Sequence, residues 1–404
     1  MSSAQESGWL IDISRLLWRI WQGRLLTGID RVTLEYVKHF GPRSSAIIQV
    51  RGHARVLSNA RSQRVFSILR SLSNESVFTR PSARIDLLRE IAPGLASPTR
   101  QSQTRGQLCI YPGHTGLENP NLIRWIIESG QRPVYFLHDL IPCSHPEYCR
   151  PGVAAIHARR VQHMLATAHA IIVNSKFTQD ALSEFARAEK LRQPPMEIAW
   201  LGSGIGVNQS IDQPAPRFDQ PYFVMLGTIE PRKNHLRILE IWRDWTQHTS
   251  TPRPHLLIIG QRGWECENIF RLLDRCSTIQ PWVHELGRCS DVELNNHLRH
   301  ARALLMPSFI EGFGLPVIEA LANGLPVIAS ELSVFREIAG NIPDYLDPSD
   351  GIGWRNAIVD YSRPDSPRRA KQIERMADLE IPTWNQHFSR VEDFLVGGLK
   401  RMPC

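Results

Sequence analysis

The sequence lacks the features that would place it across a membrane or in an oxidising compartment. No apolar run approaches the ~18 residues that a membrane-spanning helix needs. The amino terminus has no basic stretch followed by an apolar core, which argues against a secretory signal. The seven cysteines are scattered and odd in number, and no two of them are spaced as Cys-x-x-Cys. These absences predict a cytoplasmic protein with reduced cysteines.

Metal-binding patterns are equally sparse. Cys143, His145 and Cys149 are close together, but zinc sites of this kind usually have a second pair of ligands, so the case for zinc is weak. The spacing Asp-x-Asp, which holds divalent cations in one class of enzymes, occurs nowhere in the chain. The sequence therefore predicts no metal site.

The length of the chain limits the number of domains, and its charge limits the kinds of partner. A chain of 404 residues is too long for one typical domain and predicts two. The formal net charge is +7, and ten arginines stand against three acidic residues between Arg51 and Arg105. Such a basic stretch suits nucleic acid, an anionic membrane face or a lipid phosphate, or it is simply a solvated surface. Charge alone does not choose between these partners.

Short apolar runs alternate with helical patterns along the chain. Predicted strands cover residues 9–13, 46–50, 108–111, 134–137, 171–173 and 197–201 in the first half, and 222–226, 255–259, 283–286, 304–306 and 325–329 in the second. This alternation indicates parallel sheets with helices on both faces. A proline-rich stretch separates the halves, so we expect domains over residues 1–210 and 219–380, followed by an amphipathic helix within 381–404.

One stretch, EGFGLPVIEALANGLPVIAS from Glu311 to Ser330, has an unusual pattern. Its turn, Gly312-Phe313-Gly314, leads into a predicted helix at Leu315, and the free backbone N–H groups of such a turn suit an anionic ligand. Seven residues separate Glu311 from Glu319, so a folded-back turn allows both carboxylates to line one pocket. Two glutamates alone would more often be a loop residue and an exposed helix residue.

The full pattern resembles the donor-binding signature of retaining family-4 glycosyltransferases, also called glycosyl transferases group 1. The resemblance covers the second half of the chain well and the first half loosely. It implies the α/β GT-B fold, in which two Rossmann-like domains with parallel sheets face a central cleft. The first domain would hold the acceptor and the second the nucleotide-sugar donor. The segment 381–404 would cross back to the first domain.

The resemblance also implies roles in the donor site. In the family a lysine six residues after a glycine contacts the diphosphate, and Gly227 and Lys233 keep that spacing. Thr228 stands where the family often has arginine, and Arg232 is the proposed substitute for that arginine. The first glutamate of the signature, Glu311 here, would lie near the hydroxyls of the donor sugar. The second, Glu319 here, would accept hydrogen bonds from the ribose.

Two candidates fall in the first domain. His138 resembles the family histidine beside the donor sugar, although a purely structural histidine is the alternative. Gly28 resembles part of the flexible first-domain loop that closes near the donor phosphates and the acceptor. The expected catalytic residues are thus His138, Arg232, Lys233 and Glu311. The expected donor-binding residues are Gly28, Gly227, Thr228, Ser308, Gly312, Phe313, Gly314, Leu315 and Glu319.

The chemistry that this family performs leaves negative charge on a departing diphosphate. Fixed positive groups must stabilise that charge where no metal does so, and Arg232 and Lys233 suit this role. The resemblance implies retention of anomeric configuration and no cofactor. The loop GTIEPRKN resembles the version found in mannosyl- and related transferases of bacterial surface polysaccharide, including lipopolysaccharide. GDP-mannose is therefore the first expected donor, with a glycan or lipid-linked acceptor.

Three further hypotheses accompany this interpretation. A catalytically idle nucleotide-sugar-binding protein of the same fold is the alternative to an enzyme. The arginine-rich stretch lacks interleaved aromatic residues or a known nucleic-acid motif, so no nucleic-acid partner is expected. Peripheral attachment of that stretch to the inner face of the cytoplasmic membrane is a further hypothesis, and a soluble enzyme with a basic surface is its alternative.

Overall fold

The computed structural model describes residues 8–24, 26–50, 52–71, 81–96, 104–204, 218–245, 252–287 and 289–398. Its contacts divide the chain into two compact units. Unit 1 comprises Met1–Cys143, Gly152–Trp200 and Trp384–Cys404. Unit 2 comprises Ser144–Pro151 and Leu201–Thr383. The predicted proline-rich linker falls mainly on residues 205–217, which lie outside the described residues, and the predicted domain limits stay predictions.

Unit 1 contains a seven-stranded sheet in the order β3-β2-β1-β4-β5-β6-β7. Its strands are β1 (Trp9–Asp12), β2 (Ser44–Val50), β3 (His53–Val56), β4 (Leu108–Tyr111), β5 (Arg132–Leu137), β6 (Ala170–Val173) and β7 (Met196–Ile198). Every neighbouring pair is parallel except β2 and β3, which are antiparallel. The expectation of a parallel sheet is thus wrong at this edge, because only two residues separate the end of β2 from the start of β3, too few for a parallel crossover.

The helices of the first half follow the predicted alternation. They are α1 (Ser14–Trp21), α2 (Gly28–Phe40), α3 (Asn59–Ser71), α4 (Pro81–Ala96), α5 (Pro120–Glu128), α6 (Ile141–Ser144), α7 (Val153–Thr167) and α8 (Lys176–Ala188). Strands β4, β5 and β6 are almost wholly buried. This is why they read as continuous apolar runs rather than as alternating ones.

Unit 2 contains a six-stranded sheet in the order β10-β9-β8-β11-β12-β13, and all its neighbouring strands are parallel. The strands are β8 (Tyr222–Leu226), β9 (His255–Ile259), β10 (Val283–Leu286), β11 (Leu304–Met306), β12 (Val327–Ser330) and β13 (Asp344–Leu346). The helices are α9 (His235–Arg243), α10 (Glu267–Arg275), α11 (Asp291–His300), α12 (Leu315–Ala322), α13 (Ser333–Ala339), α14 (Gly351–Ser362) and α15 (Pro367–Met376). Phe223, Trp242 and Trp354 fill its core.

The terminal helix α16 (Trp384–Glu392) belongs to unit 1. His387 on this helix donates from Nδ1 to the carbonyl of Trp200 at 3.1 Å and accepts at Nε2 from the hydroxyl of Tyr36 at 3.0 Å. The observed α-helix is shorter than the predicted one, because it ends at Glu392 and a wider π-helical turn, Asp393–Gly398, follows.

The described part of the basic stretch contains β3, α3 and α4. Arg51, Arg80 and Arg100 of this stretch lie outside the described residues. Within the described ranges, the structure has no helix both long and apolar enough to cross a bilayer.

Candidate active site

The loop after β8 carries the predicted lysine and is held rigidly. Gly227 has a φ of +116°, a left-handed conformation that favours glycine. The chain then forms a short turn, Pro231–Lys233, and reaches Asn234 at a φ of +55°. The Asn234 side-chain amide donates to the carbonyls of Pro307 and Pro348 at 3.1 and 2.9 Å. The loop is therefore fastened to the segments that follow β11 and β13.

Glu311 lies at the centre of a buried ion-pair network. Its Oε1 accepts from Lys233 Nζ at 2.5 Å and from Ser308 Oγ at 2.8 Å, and its Oε2 accepts from Arg232 Nη1 at 2.6 Å. Burial acts to raise the pKa of Glu311, but the two cations outweigh it and lower the pKa to about 2. Glu311 is therefore ionised at neutral pH although only 5% of it is exposed.

Glu230 is a further member of this network that the sequence reasoning did not identify. Its Oε1 lies 2.5 Å from Arg232 Nη2, and the residue is only 4% exposed. Arg232 therefore bridges two buried carboxylates, those of Glu230 and Glu311. The acidic residue two positions before Arg232 was the available signal. The guanidinium of Arg232 is paired with both carboxylates, so this side chain holds Glu311 in position. A direct contact of Arg232 with the diphosphate stays a prediction.

The glycine turn after Glu311 has the conformation that the pattern demands. Gly314 has a φ of +101°, and a β-carbon there would lie 2.5 Å from the ring of Phe335, so only glycine fits. Helix α12 begins at the next residue, Leu315, and Gly312 and Phe313 are buried. The first backbone N–H groups of a helix are directed at its N-terminus, where they favour an anion.

Glu319 lies on α12 and is only 5% exposed, so it is not the solvated helix residue that the simpler alternative required. A β-carbon built at Gly204 would lie 3.9 Å from its Oε1. The carboxylate therefore faces the segment that follows β7 rather than open solvent. A buried carboxylate at this position suits a ligand hydroxyl as hydrogen-bond donor.

The remaining donor-loop candidate, Thr228, is half-buried directly after Gly227. In unit 2, direct hydrogen bonds to Glu311 connect four of the predicted residues: Arg232, Lys233, Ser308 and Glu311 itself. A β-carbon at Gly227 would be 3.5 Å from Cε of Lys233, so this glycine leaves room for the lysine side chain. Two cations and two carboxylates, those of Glu230 and Glu311, give this cluster no net charge.

His138 of unit 1 directly follows β5 and is 6% exposed. Its Nε2 donates to the carbonyl of Pro112 at 2.8 Å, and Asn174 Nδ2 donates to its backbone carbonyl at 2.9 Å. Burial lowers the pKa of His138 to about 3. The ring is thus neutral at physiological pH, and Nδ1 is left as its unprotonated nitrogen.

Gly28 of unit 1 is the first residue of α2, where a flexible loop was expected. Both the backbone N–H and the hydroxyl of Thr27 donate to Asp30, at 2.7 and 2.6 Å. Arg15 and Arg19 pair with the same carboxylate at 2.8 and 3.2 Å. Gly28 is exposed beside this anchored cap, and its expected role near the donor phosphates stays a prediction.

The residues considered as zinc ligands, Cys143, His145 and Cys149, do not form a metal-binding group. Among the described residues, no group of three or more histidine, cysteine or acidic side chains is placed to hold a metal ion.

Unit 2 places a lysine, a glycine turn and a helix start near a buried glutamate. Such groups bind a phosphate-bearing ligand and stabilise charge on it.

Comparison with known proteins supports this interpretation. Residues 208–342 match the family Glycosyl transferases group 1. The chain is 28% identical over 267 residues to O-antigen chain mannosyltransferase B of Escherichia coli, covering 63% of this chain and 67% of that protein. It is also 28% identical over 254 residues to the serotype-specific mannosyltransferase WbdA of E. coli, covering 55% of this chain but only 29% of that protein.

Solved structures agree on the fold. Anabaena HepE, crystallised with UDP and glucose, superposes with a TM-score of 0.63 at 14% identity, covering 96% of this chain and 98% of that one. An α,α-trehalose-phosphate synthase (UDP-forming) from Burkholderia vietnamiensis gives a TM-score of 0.60 at 12% identity, covering 98% and 100%. The predicted GT-B fold is confirmed. The protein is a glycosyltransferase of the GT-B fold whose second half carries a glycosyl transferases group 1 domain.

Proposed function

We propose that the protein is a retaining, metal-independent hexosyltransferase that moves mannose from GDP-mannose to a glycan or lipid-linked acceptor of a bacterial surface polysaccharide. The observation that carries this proposal is the buried contact of Lys233 with Glu311, 2.5 Å long, beside the glycine turn. It pairs a cation suited to a diphosphate with a carboxylate suited to sugar hydroxyls.

Lys233 would stabilise the departing diphosphate in this reaction. Negative charge grows on the leaving group as the bond to the anomeric carbon breaks, and a cation already fixed in a buried site needs little reorganisation. The N–H groups at Gly314 and Leu315 would add to that stabilisation. Glu319 would receive the ribose hydroxyls. The acceptor hydroxyl would attack from the same face, and the departing phosphate would take its proton.

Mannose is supported by two relatives whose names describe them as mannosyltransferases. The loop that contains Lys233 also resembles the mannosyltransferase version. HepE was solved with UDP and glucose, so UDP-glucose is the comparison donor. We place the enzyme in the cytoplasm, where nucleotide sugars would reach it, and propose a peripheral contact with the anionic membrane. No nucleic acid and no cofactor belong to this proposal.

A panel of nucleotide sugars in a thermal-unfolding assay tests the donor assignment. A ligand that binds the folded protein raises the melting temperature, and the rise grows as the ligand concentration exceeds its Kd. GDP-mannose should raise the melting temperature of the wild type more than UDP-glucose does, and Lys233→Met should reduce the shift. Equal shifts for all nucleotide sugars would contradict the GDP-mannose assignment. Binding without any transfer would instead favour the idle sugar-binding protein.

Chelation tests metal independence. Transfer should survive EDTA, because Lys233 and the helix start would supply the charge that a divalent cation supplies elsewhere. A transferase known to need Mn²⁺, assayed beside it, verifies that chelation is complete. Loss of activity in EDTA with rescue by Mg²⁺ or Mn²⁺ would overturn this part of the proposal.

A further inference from the structure

We infer that Trp18 and Trp21, on the exposed face of α1, form with the neighbouring face of α4 a surface that inserts into an anionic lipid bilayer. All eleven tryptophans of the chain lie in the described ranges, and among them only these two are exposed, while the others are buried or half-buried. They are 47% and 48% exposed. Tryptophan is among the bulkiest apolar side chains and is normally well buried, so two exposed neighbours call for a partner.

Helix α1 is strongly two-sided. Leu16, Leu17 and Ile20 are buried against unit 1. Trp18 and Trp21 are spaced by three residues, so they lie side by side on the opposite face. The guanidinium of Arg24 lies over the ring of Trp18, 5.6 Å from its centroid. The exposed face of α1 and its turn therefore combines two indoles with a cation.

Helix α4 extends this surface. A β-carbon at Gly23, in the turn after α1, would lie 2.5 Å from the guanidinium of Arg84, so the turn contacts α4 directly. On α4, Ile85 directly follows Arg84, and Leu88 lies one helical turn after Arg84; their side chains are 48% and 39% exposed. We call these residues, Trp18, Trp21, Arg24, Arg84, Ile85 and Leu88, the indole patch.

The composition of the indole patch selects the partner. Indole rings favour the level of the lipid headgroups, where one edge is apolar and the other is wet. Arg24 and Arg84 give the surface positive charge, while Arg89 pairs with Asp86 on α4 at 3.5 Å. Basic residues close to apolar anchors attract anionic lipids. Two indoles flanked by arginines therefore match the headgroup level of an anionic bilayer.

The indole patch also lies close in sequence to the acceptor side of the proposed reaction. Trp21 precedes Gly28, the first residue of α2, by seven positions. This inference deepens the proposed function, since attachment at α1 would bring unit 1 to a lipid-linked acceptor. It also replaces the arginine count of residues 51–105 with a defined surface as the reason for membrane contact.

Sedimentation with lipid vesicles tests the indole patch. The wild type should pellet with vesicles of phosphatidylethanolamine and phosphatidylglycerol at low salt and much less with phosphatidylcholine alone. Trp18→Ser/Trp21→Ser should partition at least ~10-fold more weakly, because each indole loses an apolar contact. Ile127→Ser, at a side chain 63% exposed on α5, is the matched control and should bind as the wild type does.

Fluorescence separates insertion from simple electrostatic contact. Lipids brominated in the acyl chain should quench the wild type on binding. Trp18→Phe/Trp21→Phe keeps apolar anchors, so it should still bind while losing most of the quenching. A wild type that stays in the supernatant overturns the inference, as does unchanged binding by the serine variant. A wild-type dimer that the serine variant converts to a monomer would overturn it in favour of a second copy.

Transfer to a water-soluble acceptor distinguishes this inference from the proposed function. The serine variant should retain that activity, since neither tryptophan belongs to the donor site. If the wild type shows no transfer, the proposed function fails, while vesicle binding still decides the indole patch.

Discussion

The Nζ atom of Lys233 lies 2.5 Å from Oε1 of Glu311, and both side chains are almost wholly buried. The pair links the loop after β8 to the turn before α12. Glu311 keeps its charge because Arg232 lies on its other oxygen. A buried charge without partners is very costly, so each member of this network fixes the position and ionisation of the others.

Lys233→Ala should slow turnover by roughly 10²–10³-fold, because the loss of one preorganised charged donor typically has an effect of this size. Steady-state kinetics with saturating donor measures the change, and a melting curve verifies the fold. Lys38→Ala, which removes an exposed lysine paired with Glu35, is the matched control and should leave turnover unchanged. Unaltered kinetics in Lys233→Ala would refute the role given to this residue.

Glu230→Gln should separate donor binding from turnover. Removing this carboxylate leaves the cluster with a net positive charge, so the KM for the donor should fall. The value of kcat should fall by roughly tenfold, because Arg232 loses the partner that helps to hold Glu311 in place, and small misplacements are costly. Glu240→Gln makes the same charge change at a half-buried residue paired with Arg237. Identical kinetics in the two variants would contradict a positioning role for Glu230.

Glu319→Ala should mainly weaken nucleotide binding, whereas Glu311→Ala should mainly reduce kcat. The first carboxylate is assigned to the ribose and the second to the region of the reacting sugar. Losing a hydrogen bond to a charged group costs about 1.5–3 kcal/mol, or roughly 10–150-fold in affinity. Calorimetric titration with GDP measures the effect. An unchanged affinity in Glu319→Ala would remove the ribose assignment.

The free energy of unfolding should fall as the pH drops from about 6.5 towards 4, because histidines that are buried and neutral in the folded protein become protonated in the unfolded chain. Burial lowers the pKa of His387 to about 4, so only the unfolded chain takes up its proton within this window. The stabilising effect of neutral His387 is therefore present above pH 6.5 and is lost on acidification. The folded-state pKa of Glu311 is about 2, so its contribution to stability stays constant down to about pH 5 and is lost only below that, where the glutamate of the unfolded chain takes up a proton.

His387→Gln tests this pH dependence, because glutamine can hydrogen-bond but does not titrate. Between pH 7 and pH 5 the wild type should lose about 2 kcal/mol more unfolding free energy than the variant. Urea unfolding at the two pH values measures the difference. Parallel losses in the two proteins would show that His387 does not titrate as inferred.

Much of the fold was predictable because its signals are local. The buried strands β4, β5 and β6 are apolar runs, and Gly314 occupies a turn that only glycine can form. The fold class, the identity of the protein as a glycosyltransferase and a group 1 domain, matched over residues 208–342, are confirmed. The site roles, the donor and the absence of a cofactor stay predictions.

What the sequence did not reveal depends on contacts between distant segments. The link from Arg232 to Glu311 spans 79 positions, so spacing alone could not show that Arg232 is occupied by carboxylates. The exposure of Trp18 and Trp21 likewise depends on how α1 packs, since only its other face is buried. The antiparallel pairing of β2 with β3 was missed because β3 is a short strand within a basic stretch.

The central claim is retaining transfer of mannose from GDP-mannose, and nuclear magnetic resonance of the product tests it most directly. Wild type, GDP-mannose and a mannose-terminated oligosaccharide should yield GDP and a new α-configured mannosyl linkage, in EDTA as well as without it. Lys233→Ala should form the same product far more slowly. A β-configured product would contradict retention. No transfer from GDP-mannose, with efficient transfer from another nucleotide sugar, would contradict the donor.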